Sequence, residues 1–257
     1  MSDAHIGIVG GVGPLAGVDL ARKIMSNTVA STDQDHIPLT LISTPSSIED
    51  RTRFLLGESI INPAHAVVSI IGQLATAGAT VIGIPCNTMH APPIFDIIVR
   101  ETRFSHPAIE IVSMVEAVIR TIRERFDAHS PIGILTTSGG YRTALYSSAL
   151  DRAGLNSIVP DEHGQSLVHE AIYSPEYGIK AHPERIPQRA LDVIAGAVQA
   201  LADRGVRAVL AGCTELAYAI AEPTVYGVPI VGSTEVLARA LIARATPEKL
   251  RRVNGRR

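Results

Sequence analysis

The chain has 257 residues, a hydrophobic fraction of 46%, a charged fraction of 19% and a formal net charge of −2. That length allows two modest α/β domains or one large one, and that balance describes a well-cored globule rather than a disordered chain. A near-neutral charge gives no electrostatic case for binding nucleic acid or an anionic membrane surface. No apolar run approaches the roughly 18 residues of a membrane helix. The start, Met1-Ser2-Asp3-Ala4-His5, lacks a basic n-region, so no signal peptide is expected. Two cysteines do not make a disulfide framework, and free thiols in a reducing cytoplasm are the expected setting.

In chain order, Ile6-Gly7-Ile8-Val9 reads as a first strand, Gly10-Gly11-Val12-Gly13-Pro14 as a glycine turn, and a helix is predicted from Pro14 through Met25. Residues 38–43 form a second predicted strand. The polar stretch 44–57, with Glu49-Asp50-Arg51-Thr52-Arg53, reads as a functional loop. Val67, Ile70, Ile71 and Leu74 share one face of a helix predicted over 63–77, closed by Gly78. A strand then leads to Cys86. Helices are expected over 92–102 and 114–126, with a strand over 109–112 between them.

Residues 132–135 are a strand ending in Thr136-Thr137-Ser138-Gly139-Gly140, with a helix expected from Tyr141. A short strand over 156–159 and a helix over 164–172 follow. Residues 174–187 are irregular and hold Lys180. A long amphipathic helix over 187–204 precedes the strand 206–212 that reaches Cys213. The last strand is predicted over 228–231 and the last helix over 234–245, with a frayed basic tail from Lys249.

Strands alternate with helices throughout, which predicts parallel sheets. The halves echo each other: strand, glycine turn and helix at each start, strand and cysteine late in each. The expected fold is α/β, two pseudo-symmetric Rossmann-like domains with a cleft between them. The expected division is 1–114 and 115–232, with a C-terminal helix within 233–257 returning to the first domain.

Val81-Ile82-Gly83-Ile84-Pro85-Cys86-Asn87-Thr88 and Ala208-Val209-Leu210-Ala211-Gly212-Cys213-Thr214-Glu215 repeat one grammar, and they hold both cysteines of the chain. Each thiol falls at the carboxyl end of a predicted buried strand, where open α/β sheets bind ligands. Free cysteine is often simply buried, but two at matching strand ends make that reading a poor one. There is no CxxC, HxxxH or HExxH, so no metal site is expected. His90 is the best placed histidine near Cys86, and its position on a helix start favours a structural role.

Two thiols facing one cleft suit proton transfer at a stereogenic carbon: one removes a proton from one face, and the other delivers one to the opposite face. Asn87, Thr88 and Thr214 would supply donors for the developing charge. Glu215 either influences the protonation of Cys213 or is a solvated first-turn glutamate. Gly11-Val12-Gly13-Pro14-Leu15-Ala16 also fits the dinucleotide pattern G-x-G-x-x-A, which expects an acidic residue at the end of the second strand. Here that strand ends in Ser43-Thr44-Pro45, and the turn at Gly11 and Val12 is better read as presenting N–H groups to a carboxylate. Arg51, at the carboxyl edge of the sheet, has the fork geometry a substrate carboxylate favours. Lys180 is a weaker candidate of the same kind.

With these residues in place, the chain resembles the aspartate/glutamate racemase superfamily, the cofactor-independent amino-acid racemases, over nearly its full length. Gly10-Gly11-Val12-Gly13-Pro14 resembles that family's Gly-Gly-Met-Gly-Pro, and Glu49-Asp50-Arg51-Thr52 its Pro-Asp-Arg-Thr. Pro85-Cys86-Asn87-Thr88-Met89-His90 is similar to Pro-Cys-Asn-Thr-Ala-His, Leu135-Thr136-Thr137-Ser138-Gly139 to Leu-Ala-Thr-x-Gly, and Gly212-Cys213-Thr214-Glu215-Leu216 matches Gly-Cys-Thr-Glu-Leu. The resemblance implies racemisation of aspartate or glutamate without pyridoxal phosphate or another cofactor, often by a homodimer, with Cys86 and Cys213 as paired acid and base. It further implies that Asn87, Thr88, Thr137 and Thr214 hold the α-carboxylate and amino group, and that Arg51 and Lys180 hold a side-chain carboxylate. The Thr-Glu after Cys213 is the aspartate racemase form. Two departures stand out: Val12 replaces the usual methionine, and Gly232-Ser233 stands where an aspartate is common. Two other readings remain: a decarboxylase or cis–trans isomerase on the same fold, or a binding protein that kept the cleft.

Overall fold

The computed structural model describes residues 4–252. Its first sheet is built around β1 (Ile6–Gly10), every residue of which is buried. β1 pairs in parallel with β2 (Leu39–Ser43) on one side and β3 (Val81–Gly83) on the other, and β4 (Glu110–Val112) pairs in parallel beyond β3. The order is β2-β1-β3-β4. In the second sheet β5 (Ile132–Leu135) lies between β6 (Ser157–Ile158) and β7 (Ala208–Ala211), and β9 (Val228–Gly232) pairs beyond β7, all in parallel. The strand order of the first sheet is thus repeated. In both sheets the chain leaves the central pair in opposite directions, which opens a crevice at the strand carboxyl ends. β8 (Thr224–Val225) pairs antiparallel with β9. This departs from the all-parallel expectation, and the reason is the tight turn at Tyr226 and Gly227, both at positive φ (48° and 73°).

Side-chain alternation along the strands sends each sheet into two cores. Ile6 and Ile8 pack with Leu20 and Ile24 of α1 (Pro14–Asn27) and with Leu237, Leu241 and Ile242 of α11 (Ser233–Ala245). Val9 and Ile82 pack with Val67, Ile71 and Leu74 of α3 (Ala64–Thr76) and Ile94 and Ile98 of α4 (Pro92–Ser105). In the second sheet, Val209 and Ala211 meet α8 (Glu162–Tyr173) and α9 (Gln188–Asp203). Ile134 and Leu210 meet α5 (Met114–Arg125) and α7 (Leu145–Arg152). α11 serves both sheets, because Val236 joins the core around Leu210 and Val231.

Three expectations need correction. The stretch 44–57 is not all loop: α2 (Arg51–Leu55) forms there, with the Asp50 side chain accepting from the Arg53 N–H. A helix does not begin at Tyr141 but earlier, as α6 (Ser138–Arg142), and a break at Ala144 (φ 49°) separates it from α7. The Gly139-Gly140 pair, a breaker by composition, lies in a helix capped by Thr137, and glycine is needed there because a Cβ on Gly140 would lie 2.4 Å from Thr136 Oγ1. The tail is not frayed from Lys249, since Val29 N–H donates to the Lys249 carbonyl (2.7 Å) and Arg251 N–H to that of Asn27 (2.8 Å). The remainder of the tail, 253–257, lies outside the described residues, as do residues 1–3 of the start. Among the described residues no helix is long and apolar enough to cross a membrane.

α11 is the chain's return element, and Leu241 is its central contact: a Cβ added to Gly83 of β3 would fall 2.6 Å from Leu241 Cδ1. Leu241→Ala is therefore expected to cost about 2–5 kcal/mol of stability, as for other buried leucines, read from urea unfolding.

Candidate active site

β3 and β7 occupy equivalent places in the two sheets, and a cysteine follows the end of each by two or three residues. Cys86 is extended (φ −151°) ahead of a short helical turn, Asn87–His90. Cys213 is extended (φ −141°) ahead of α10 (Thr214–Ala219). First-turn N–H groups have no intrahelical partner, so both thiols stand beside unspent donors. Both cysteines are free, 5% exposed, and line the same cavity. The cavity holds about 10 Å³, room for about one water molecule.

Of the residues singled out in the sequence, Val12, Arg51, Cys86, Asn87, Thr88, Thr137, Lys180, Cys213, Thr214 and Glu215 line this cavity. Gly11 does not. It stands behind the wall at φ 82°, where a Cβ would meet Pro45 N at 2.8 Å. Tyr173 and Gly212 complete the lining. The glycine turn also approaches the second sheet, since a Cβ on Gly13 would lie 2.9 Å from Glu215 Oε1. A carboxylate and the Thr44–Pro45 backbone thus border the turn where a pyrophosphate would need room and positive charge, which counts against the dinucleotide reading.

The two thiols have different neighbours. Cys86 Sγ is 3.3 Å from the Thr88 hydroxyl. Cys213 donates to Glu215 Oε2 at 3.0 Å, as does the Thr214 hydroxyl at 2.9 Å, while Lys180 Nζ pairs with Glu215 Oε1. Burial alone would raise the Glu215 pKa, but the Lys180 charge and the hydrogen bonds from Lys180 and Cys213 outweigh it and hold the carboxyl at about 2. Lys180 is correspondingly held protonated: burial opposes its charge, and Glu215 more than compensates. Burial first, and the Glu215 anion second, push the Cys213 thiol well above the ordinary range, with Lys180 pulling the other way. Cys213 therefore keeps its proton in the resting site.

Arg51 is buried on α2, and its Nε has no protein partner. Burial alone would weaken its charge, but Cys86, Tyr173 and Asp50 outweigh it and the guanidinium pKa rises. An unpaired buried N–H is costly, and an anion in the cavity would satisfy it. Tyr173 lies between the two cations: its hydroxyl is 3.3 Å from the Thr52 hydroxyl, and Lys180 Nζ sits 5.2 Å from its ring. Burial raises the Tyr173 phenol to about 12, so it stays a donor.

Asn87 is held from both sides. The Tyr146 hydroxyl donates to Asn87 Oδ1, and Asn87 Nδ2 donates to Ser233 Oγ at 3.1 Å. The serine noted as a departure in the sequence thus orients a cavity-wall amide. Thr137 caps α6 by accepting from the Gly140 N–H (3.3 Å). Thr136 behind it donates to the Gly212 carbonyl (3.0 Å), tying the ends of β5 and β7 together. His90 has the structural place expected of it. It is buried, bonds the Cys86 carbonyl at 2.9 Å, packs tilted against the Phe95 ring with centroids 4.6 Å apart, and burial holds its pKa at about 4.

Tyr146, Tyr173, Ser233 and Thr52 were not singled out for the site from the sequence. The signal for Tyr173 is the spacing Gln165, His169, Tyr173 along α8. Gln165 Nε2 donates to the Thr136 carbonyl (2.9 Å), and His169 Nδ1 accepts from the Ser138 N–H (3.4 Å). A polar i, i+4, i+8 stripe reads equally well as a solvated face.

The model of a protein family described as Asp/Glu/Hydantoin racemase matches residues 9–241. The structure is similar to an aspartate racemase of Picrophilus torridus, at a TM-score of 0.78 and 28% identity over 94% of each chain. It is also similar to an aspartate racemase homologue of Pyrococcus horikoshii, at TM-score 0.70 and 23% identity over 96% of this chain and 100% of that one. A glutamate racemase of Bacillus anthracis shares the fold at TM-score 0.64 and 15% identity, over 96% of this chain and 84% of that one.

The charges around Cys213 set a testable sign. The Glu215 anion raises its pKa and the Lys180 cation lowers it. Alkylation requires the thiolate, so Glu215→Gln should shift the onset of Cys213 labelling by iodoacetamide to lower pH, and Lys180→Met to higher pH. Mass spectrometry of the Cys213 peptide between about pH 7 and about pH 10 reads both.

Proposed function

We infer the activity from one premise: the chain belongs to the Asp/Glu/Hydantoin racemase family, whose model spans most of its length. On that premise we propose that it racemises an acidic amino acid, aspartate before glutamate, by proton transfer between two cysteines without pyridoxal phosphate. The observation that carries this reading is that both thiols of the chain, delivered by equivalent strands of twin sheets, line one cavity. A substrate Cα between them would present its proton to one thiolate and receive another from the opposite thiol. Each thiol serves as base toward one enantiomer and as acid toward the other, and the Glu215 carboxylate beside Cys213 favours its protonated form.

Removal of the Cα proton develops negative charge that spreads into the α-carboxylate. Donors preorganised in a dry site stabilise that charge far better than water does. The Thr88 and Thr214 hydroxyls, the Asn87 amide and the first-turn N–H groups of both cysteine turns are placed for this work. Asn87 is fixed in one orientation by Tyr146 and Ser233. Arg51, with its unpartnered Nε, and Lys180 would receive the side-chain carboxylate. Lys180 is protonated and paired with Glu215, which supports this role against that of a Schiff-base amine. Two free thiols accord with a reducing cytoplasm as the working compartment.

The closed cavity is too small for an amino acid, so binding requires the sheets to part. The contacts that yield include the Thr52–Tyr173 hydroxyl pair, the packing of Thr52 on Gly139, where a Cβ would lie 3.0 Å from Thr52 Oγ1, and the Tyr146–Asn87 hydrogen bond. Opening and reclosing exclude water around the reacting carbon.

With L-aspartate and L-glutamate in heavy water and no added pyridoxal phosphate, the wild type should lose the Cα proton signal and form the D-enantiomer. Cys86→Ser and Cys213→Ser should each lower racemisation by about 10²–10⁴-fold, the usual cost of losing an acid or base. Full turnover in either variant would rule out the two-thiol reaction.

A further inference from the structure

The Lys180–Glu215 pair borders two cavities. Inside lies the thiol cavity. Outside lies a second cavity of about 200 Å³, walled by the first turn of α1, by Ile179 and Pro183 of the irregular segment, and by Tyr218 of α10. Lys180, Thr214 and Glu215 face both. Apart from the pair, the ionic group on the outer wall is Asp19, which is engaged by Arg22 and Lys23. The other walls are largely apolar: Pro14, Leu15, Ala16, Ile179, Pro183 and the Tyr218 ring.

We propose that the outer cavity is a side-chain subsite for α-amino acids with unbranched apolar side chains, continuous with the thiol cavity when Lys180 swings off Glu215. The proposal rests on the reading that an amino acid's head group sits between the thiols. The thiol cavity has room for about one water and none for an extended side chain, whereas the joined space accommodates one. A second carboxylate finds no uncommitted cation beyond Lys180, so an acidic side chain stops at Arg51 and Lys180. An apolar one passes them into walls of its own polarity. Joining the two cavities needs rotation of the Lys180 side chain in addition to the parting of the sheets that admits the head group, and Glu215 keeps its Cys213 and Thr214 donors when the ammonium leaves. The Lys180 backbone is fixed by its N–H bond to the Ile172 carbonyl (3.1 Å) and by the Ile179 bond to Ala171 (2.9 Å), while its stem is four flexible methylenes. Lys180 therefore acts as the partition between an acidic-substrate site and a longer apolar one.

L-norleucine and L-aspartate titrated calorimetrically into the wild-type protein test this. Norleucine should bind. Leu15→Trp, which fills the outer cavity from a position 40% exposed, should weaken norleucine by about tenfold, the equivalent of two buried methylenes, while aspartate changes by less than about twofold. Tyr218→Ala, at 41% exposure, removes the opposite wall and should also weaken norleucine selectively, with circular dichroism verifying the fold of both variants. Absence of norleucine binding to the wild type, or equal affinity in both variants, overturns the subsite. Norleucine binding without Cα exchange of aspartate would count against the racemase reading and leave the subsite standing; aspartate exchange without norleucine binding would do the reverse.

Discussion

The carboxylate of Glu215 is the interaction on which the site depends. One oxygen takes the Lys180 ammonium, and the other takes the Cys213 thiol and the Thr214 hydroxyl. Charge and hydrogen bonds keep it ionised despite burial, and its anion keeps the Cys213 proton in place. It also borders the glycine turn of the other sheet, where φ at Gly13 is 87° and an added Cβ would lie 2.9 Å from Glu215 Oε1. One side chain thus couples the protonation of a thiol, the position of a lysine and the close approach of the two sheets. Removing one partner of such a buried pair is costly, because the other is left uncompensated.

Duplication supplies a symmetric frame, and the substitutions on it make the site asymmetric. β3 and β7 deliver matching thiols, yet Cys86 has the neutral Thr88 beside it and Cys213 the anionic Glu215. A two-base reaction needs one thiol protonated and the other not, and the Glu215 carboxylate biases where the shared proton rests. The same frame recruits distant elements. Asn87 of the first sheet is held by Tyr146 of α7 and Ser233 of α11, and Thr52 of α2 meets Tyr173 of α8. The two walls are therefore joined by polar side-chain bonds, the Tyr146–Asn87 bond and the Thr52–Tyr173 hydroxyl pair.

The sequence was readable where local pattern and burial coincide. Buried strands ending in small residues before Cys86 and Cys213, and the alternation of strand and helix, led directly to the twin parallel sheets. The two-residue β8 is too short for any pattern, and the polar stretch around Arg51 hides α2 because its helix depends on the Asp50 cap and on burial of an arginine against the second sheet. Gly139-Gly140 misleads because the glycines answer tertiary crowding, invisible locally, rather than a turn. Tyr146 carries no signal because its partner, Asn87, lies 59 residues away, and Ser233, 146 residues from Asn87, shows only as a departure from the family pattern. Gly11 is a motif residue that shapes the turn and does not line the closed cavity.

The central claim is that two thiols on opposite faces of Cα share one proton transfer. It is tested most directly by following protonated L-aspartate in heavy water at early conversion and reading isotope content in each enantiomer. If one thiol removes the proton and the other delivers its own, the first D-aspartate formed carries deuterium at Cα while the remaining L-aspartate stays protonated. D-aspartate that retains the original proton would mean that a single group works both faces, and would contradict the account.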